Sequence, residues 1–507
     1  METYNNYDRL ARNYTLLADE YEFTMSDVYL DTKYGDNEVV FDVFFRRIPN
    51  DGGYAIMAGL DQIIPYIQNL RFGEQQLSYF RKWKYPKEFI NYLENFKFTG
   101  DIYAIPDGTP VFPNEPLITV KAPLIQAQIV ETAILAIING AMSHATGARR
   151  IIEATPRNTD VVVDPIADDK YGNQKIPTME FGARRADGLE AAIDSSIYGI
   201  MAGCSGTSNI MAAHMLNIKA LGTMAHSYIQ TFDSELEAFK QYARKHPENC
   251  ILLVDTIDTL RSGVPNAIKT FKYMEENNID ISHIGIRIDS GDLAYLSKET
   301  RKMLDEAGFP QAKICLSNGL TDKAIASLVM QGANFNSIGV GDNISKPEGN
   351  MGCVYKEVSL NKNGIWEPKI KLSNDEVKII NPDYKNLYRA YDRETGYALA
   401  DIMTRRTEKV SEDDLLIVSP RNKLKRKMIN NFELVKLQKP IFVKGELVYD
   451  DPNIFAKQSY CNSQMNTLYP EVKRIMEPHE YYVDGTLEYV EFKNDMIEKY
   501  KRLVRKI

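Results

Sequence analysis

His226 is one of six histidines in 507 residues, and it stands in 221-LGTMAHSYIQTF-232 behind a short run of small and apolar residues. An imidazole placed there can pack in a core, ligate a metal, or exchange a proton or phosphoryl group. Metal ligation has little support. The other histidines (His144, His214, His246, His283 and His479) form no HxH or HExxH spacing. The five cysteines are scattered without a CxxC pair, which also argues against a structural zinc site. Asp255 closes the apolar run 250-CILLVD-255, where a carboxylate is placed to orient a histidine on a neighbouring strand.

The segment 286-IRIDSGDLAYL-296 carries the most chemistry. Arg287 and Asp289 are two apart in a strand-like run, so they share a face. Asp289 and Asp292 bracket a Ser-Gly turn, which suits ribose hydroxyls or Mg²⁺ carried by a polyphosphate. An internal Arg–Asp ion pair is the competing account, because buried charges need partners. Three further segments allow anion binding. They are 181-FGARRADG-188 with Arg184 and Arg185, 205-SGTSN-209 ahead of a helix, and 337-SIGVGDNI-344 with glycines at a strand end. Each has a plainer reading. The arginines can form surface salt bridges, and Thr207 or Ser208 can serve as a helix N-cap.

All these residues fall at the ends of short β-branched runs. Candidate strands are 177–182, 198–204, 218–223, 250–255, 284–289, 313–318 and 336–341, separated by amphipathic helices such as 263–278 and 294–308. Alternation at this spacing predicts βα units around a parallel sheet. A count of seven units points to a barrel, with its chemistry collected in the loops after the strands. Glu180, Thr223, His226, Asp255, Asp258, Arg287, Asp289, Ser317, Gly319, Gly339 and Gly341 all stand at such ends.

Three regions differ in texture: 1–130 mixes helix with short strands between Pro and Gly turns, 131–355 holds the βα rhythm, and 356–507 is richer in charge and Tyr. Length alone predicts more than one core, since single cores stop growing near roughly 250–300 residues. Net charge is −8, which argues against a generic nucleic-acid or acidic-membrane binder. The N-terminal stretch has no apolar h-region, and the longest apolar run, 129–142, contains Glu131 and is short for a membrane span. With sparse, unpaired cysteines, these features predict a cytoplasmic protein.

The segments GTMAHSYIQTF, EFGARRADG, AGCSGTSN, LLVDTIDTL, IRIDSGDL, FFRRIPNDGGYAIMAGL and GCVYK resemble the nicotinate phosphoribosyltransferases, and the match runs from about residue 8 to about 355. The resemblance implies an irregular α/β barrel beside a second α+β domain built from both chain ends. It implies transfer of phosphoribosyl from phosphoribosyl pyrophosphate to nicotinate, coupled to ATP hydrolysis through a phosphohistidine, with Mg²⁺, in NAD biosynthesis. It also implies a homodimer with shared sites. By the same resemblance, His226 is the phosphorylated residue and Asp255 its orienting carboxylate. Arg287 and Thr223 meet the nicotinate carboxylate, while Phe181 and a partner subunit's Tyr21 stack on its ring. Arg184 lies near the base or ribose phosphate, and Asp289 near ribose and Mg²⁺. Ser317 to Gly319 and Gly339 to Gly341 hold the 5′-phosphate.

Two segments depart from the family pattern. TDLYQLTM reads ADEYEFTM here, keeping Asp19, Tyr21, Thr24 and Met25, and GIGT reads GVGD, which introduces Asp342. A carboxylate repels phosphate, so any contact at Asp342 is expected from its backbone N–H. Nicotinamide phosphoribosyltransferase is the nearest alternative, and a non-catalytic metabolite-binding barrel is the alternative from another class.

Overall fold

The computed structural model describes residues 13–32, 34–156, 175–372 and 378–504. The chain divides into two compact units, His144–Glu348 and a split unit of Met1–Ser143 with Gly349–Ile507. The dividing points sit at 143 and 348, near the texture changes at 130 and 355. Helix Glu131–Ala154 begins at the first texture change, and its residues up to Ser143 belong to the split unit. Strand Val354–Lys362 pairs antiparallel with Glu38–Phe44, which ties the second boundary into the split unit.

The unit 144–348 is built on a parallel six-stranded sheet. Its order is Gly206–Thr207, Thr178–Glu180, Ser337–Val340, Lys313–Leu316, Ile284–Ile288 and Cys250–Leu253. The strands are almost wholly apolar, as expected where both faces of a parallel sheet are covered; Ile286, Ile288, Leu252, Ile314, Leu316 and Ile338 are buried. Helices Val264–Glu276, Leu293–Glu306 and Asp322–Met330 follow three of these strands. Asp292 and Thr321 cap the last two, accepting from the N–H groups of Tyr295 and Ala324.

The seven expected strands become six, with one exchanged. Residues 198–204 do not form a strand, because helix Leu189–Met201 extends through most of them. Every residue from Ser195 to Met201 is buried, so the hydrophobic period that marks a helix is absent there. The strand instead is the two-residue Gly206–Thr207. Residues 218–223 carry no ladder, yet they border the open edge of the sheet. Leu221 N–H donates to Thr207 O at 2.8 Å, and Asn249 Nδ2 donates to Gly222 O at 2.8 Å. The result is an irregular, incomplete barrel whose gap is lined by the segment that leads into His226.

The split unit carries two large sheets. One is seven-stranded and antiparallel, in the order Ile365–Pro368, Val354–Lys362, Glu38–Phe44, Ile118–Pro123, Asp101–Ala104, Lys439–Val443 and Glu446–Leu447. It interleaves strands from both ends of the chain, which is why the two segments form one unit. The second has six strands drawn from residues 385–486. The stretch Leu124–Ala154 is long and apolar enough to cross a membrane by composition, but 61% of its apolar window is buried in the protein, as in a core helix.

Candidate active site

Strand Ile284–Ile288 delivers Arg287 between Leu253 and Cys315 in register. Its guanidinium makes three bonds of different kinds. Nε donates to Ser317 Oγ at 2.7 Å, Nη1 to Thr223 Oγ1 at 3.2 Å and Nη2 to Asp289 Oδ1 at 2.8 Å. The Arg287 head also lies 5.6 Å from the centre of the Phe181 ring. Phe181 is seated by its N–H on Val340 O and by the absence of a side chain at Gly339. A Cβ at Gly339 would stand 2.4 Å from two ring carbons, so this glycine makes room for the aromatic ring.

Asp289 is held on one side only. Its Oδ1 accepts from Arg287 and from Ser317 Oγ at 2.5 Å, while Oδ2 faces His226 Nε2 at 3.8 Å. Burial alone would push this carboxyl up. The Ser317 hydroxyl, the Arg287 charge and His226 together outweigh burial and hold it below the ordinary carboxylate range.

Asp255 is more deeply buried. Its Oδ2 accepts from Asp289 N–H at 3.1 Å and Ser290 Oγ at 2.5 Å. Its Oδ1 has no hydrogen-bond partner among the described residues and lies 4.0 Å from His226 Nε2. His226 Nδ1 is 3.0 Å from Thr256 Oγ1. The imidazole is therefore flanked by a hydroxyl at one nitrogen and two carboxylates at the other. It begins helix His226–Gln230 and is partly exposed. The loop carrying Asp255 and Thr256 continues into a π-helical turn, Thr259–Gly263. Gly263 is required there, since a Cβ would lie 1.8 Å from Val254 O.

His226, Asp255, Asp289, Arg287, Thr223, Ser317 and Phe181 thus meet in one network. Thr256 belongs to it as well, although a hydroxyl beside an aspartate carries no sequence pattern that marks it. Other strand-end residues have structural work. Glu180 is buried and accepts from Gly182 N–H, Ser196 Oγ and Thr207 Oγ1. Asn209, rather than Thr207 or Ser208, caps helix Ile210–Met215. Asp258 caps the turn after strand Cys250–Leu253 through Arg261 N–H, and Asp292 is likewise a cap. Asp342 pairs with Arg185 at 3.4 Å, so its carboxylate already has a cation. Arg184 is exposed, and Gly319 follows Asn318 with both residues at positive φ. Gly341 precedes the one-turn helix Asp342–Ser345. Tyr21 belongs to the split unit, in helix Glu20–Leu30. No group of three or more His, Cys, Asp or Glu residues capable of holding a metal occurs among the described residues.

Comparison with known proteins decides what this network belongs to. Three family models cover most of the chain. The nicotinate phosphoribosyltransferase N-terminal domain matches residues 16–139, the nicotinate phosphoribosyltransferase family 176–380, and the C-terminal domain 384–493. The nicotinate phosphoribosyltransferase of Bacillus subtilis is 38% identical over 474 residues, covering 93% of this chain and 92% of its own. The chain belongs to the nicotinate phosphoribosyltransferase family. The Caenorhabditis elegans nicotinate phosphoribosyltransferase is 30% identical, over 94% of this chain and 92% of its own. In fold, the human nicotinic acid phosphoribosyltransferase superposes with a TM-score of 0.79, covering 94% of this chain and 99% of that one at 23% identity. The chain is therefore an enzyme, a phosphoribosyltransferase of NAD biosynthesis. The network around Arg287 and His226 lies within the part matched by the family model.

Proposed function

We propose that the network at the barrel's strand ends is the nicotinate phosphoribosyltransferase site, with Arg287 holding the nicotinate carboxylate and Phe181 stacking on the pyridine ring. The observation that carries this reading is the placement of the Arg287 guanidinium within 5.6 Å of the Phe181 ring centre, with Thr223 at its side. A flat anionic ring needs an apolar face and a cation at its edge, and these residues offer both. Arg184 and the Asn318–Gly319 and Gly339–Gly341 backbones are assigned to phosphate oxygens.

Displacement at sugar C1 forms a bond from the pyridine nitrogen and breaks the bond to pyrophosphate. No protein nucleophile takes part. Catalysis rests on positioning, and on stabilising positive charge at the sugar and negative charge on the leaving group. The residues present fit a divalent cation carried by the substrate, because Asp289 Oδ2 accepts no hydrogen bond among the described residues while Oδ1 is held by Arg287 and Ser317. Mg²⁺ held there by Asp289 would neutralise pyrophosphate charge.

ATP coupling is assigned to His226. With the Nε2 proton held toward Asp255, Nδ1 attacks the terminal phosphorus of ATP, and the electron pair of the breaking P–O bond leaves with ADP. Thr256 Oγ1, beside Nδ1, is placed to donate to the new phosphoryl group. The added negative charge then biases the loops around pyrophosphate. A homodimer with Tyr21 of the partner subunit on the base is supported by an apolar rim. Leu189, Ile210 and Ile257 follow barrel strands or their loops and are highly exposed. A cytoplasmic location is supported by five buried free cysteines.

Assay of the purified enzyme with phosphoribosyl pyrophosphate and either nicotinate or nicotinamide tests the reading. Nicotinate is expected to be preferred by about a hundred-fold in kcat/KM, the discrimination available when a charged site loses its ligand charge. Preference for nicotinamide would favour the alternative amide-using enzyme.

A further inference from the structure

Glu22 follows Tyr21 in the first turn of helix Glu20–Leu30, and its side chain is fully buried. Its Oε1 accepts from Thr132 N–H at 3.0 Å and from Thr132 Oγ1 at 2.5 Å. Its Oε2 is buried without a hydrogen-bond partner among the described residues. The same Thr132 hydroxyl lies 3.2 Å from Asp19 N–H, the residue that precedes the helix. Tyr21, meanwhile, has its phenol facing Glu131, the neighbour of Thr132, and burial together with the Glu131 charge pushes that phenol up. Adjacent residues of one helix thus face adjacent residues of another, Glu22 hydrogen-bonded to Thr132 and Tyr21 opposite Glu131.

The groups facing this junction are almost all anionic or phenolic. Glu131 faces Glu22, the Asp19 charge faces Tyr21 and Glu131, and Tyr66 and Tyr355 lie within the field of Glu22. Among the described residues the cation facing Glu131 is Lys356, itself depressed by burial and by the charges of Lys371 and Arg46. A buried carboxylate with a bare oxygen and no cation of its own is costly to ionise. Burial therefore pushes Glu22 up to about 8, with Glu131 adding to the rise and the Thr132 bonds opposing it.

We propose that Glu22 is a positioning residue that anchors the start of helix Glu20–Leu30 to Thr132 and thereby sets the Tyr21 ring for nicotinate. It acts in the neutral form. Ionisation puts a second negative charge beside Glu131 in a buried junction, and the helix start separates from Thr132 to hydrate it. The role of Tyr21 toward nicotinate rests on the proposed function; the anchor itself does not.

The sign for stability is specific. A carboxyl neutral in the folded chain and ionised in the unfolded one costs stability as pH rises from its unfolded value to its folded one. Glu22→Gln removes that cost and keeps the shape, so it should raise Tm at pH 7 by more than at pH 5.

Two readouts on wild type and Glu22→Gln between pH 7 and pH 9 decide the matter. The first is hydrogen exchange of the 20–30 amides, corrected for intrinsic rates. Wild type is expected to lose protection toward pH 9 while Glu22→Gln retains it. The second is the KM for nicotinate, expected to rise by about ten-fold in wild type, the scale of one pKa-unit's worth of coupling, with kcat changing less. In Glu22→Gln it stays flat. An identical KM rise in both proteins, or full protection of the wild-type helix at pH 9, overturns the proposal. If wild type makes no nicotinate mononucleotide at all, the functional reading fails and the exchange measurement alone decides the anchor.

Discussion

Arg389 and Asp401 face each other across adjacent strands of the split unit, whereas Arg287 stands on a barrel strand and Asp289 just past its end, two residues on. The first pair is fully buried, and both oxygens of its carboxylate are filled. Nε and Nη2 of Arg389 meet both Asp401 oxygens at 2.7 and 2.6 Å, and the Tyr481 hydroxyl adds a third bond. The rings of Phe112 and Tyr481 lie against the guanidinium. The second pair is partly exposed and joined at one point. One Asp289 oxygen accepts no bond, and the guanidinium reaches two hydroxyls and the side of an aromatic ring. The same two residue types thus hold strands together in one place and leave binding capacity in the other. The difference lies in how many carboxylate oxygens the protein itself fills.

Removing one partner from each pair should separate these roles. Asp401→Ala leaves Arg389 buried without its carboxylate and should cost about 3–5 kcal/mol, read as a shift in denaturant unfolding. The corresponding loss at the barrel should fall on activity. Arg287→Ala is expected to lower kcat/KM for nicotinate by about a hundred-fold or more, from loss of a charge-assisted contact, and to change the KM for phosphoribosyl pyrophosphate far less. Unchanged nicotinate kinetics would reduce Arg287–Asp289 to a second structural pair.

The smallest effect is on pH dependence. Asp289 has a depressed pKa in the folded chain, so its contribution to stability is present above the ordinary carboxylate range and disappears as pH falls through its lower folded value. The difference in Tm between wild type and Asp289→Asn should therefore shrink on acidification from pH 6 to pH 3. A difference constant across that window would mean that the Ser317 and Arg287 contacts do not favour the ionised form.

Five strands were legible in the sequence, Thr178–Glu180, Cys250–Leu253, Ile284–Ile288, Lys313–Leu316 and Ser337–Val340, the last four as apolar runs because both their faces are buried. The end of helix Leu189–Met201 reads as a strand for the same reason: burial of every residue from Ser195 to Met201 erases the period there. A two-residue strand such as Gly206–Thr207 has no pattern to read. At the site, polar residues ending successive strands marked the functional face, and six of them converge there with Phe181. What each does locally was not legible. Glu180, Asp258 and Asp292 look like site carboxylates in sequence, yet both Glu180 oxygens are filled and Asp258 and Asp292 cap local backbone N–H groups. Thr256 looks unremarkable, yet it stands closest to His226 Nδ1 among the described polar contacts.

The assignment of His226 is tested most directly by its alanine variant, because the bond exchange at C1 needs no imidazole while the coupling to ATP does. Nicotinate mononucleotide formation would be measured with and without ATP in wild type and His226→Ala, with acid-labile phosphate mapped on each. The expected result is ATP stimulation and a labelled His226 in wild type, and in the variant a residual ATP-independent rate that ATP does not raise. Equal stimulation by ATP in the two proteins would contradict the account.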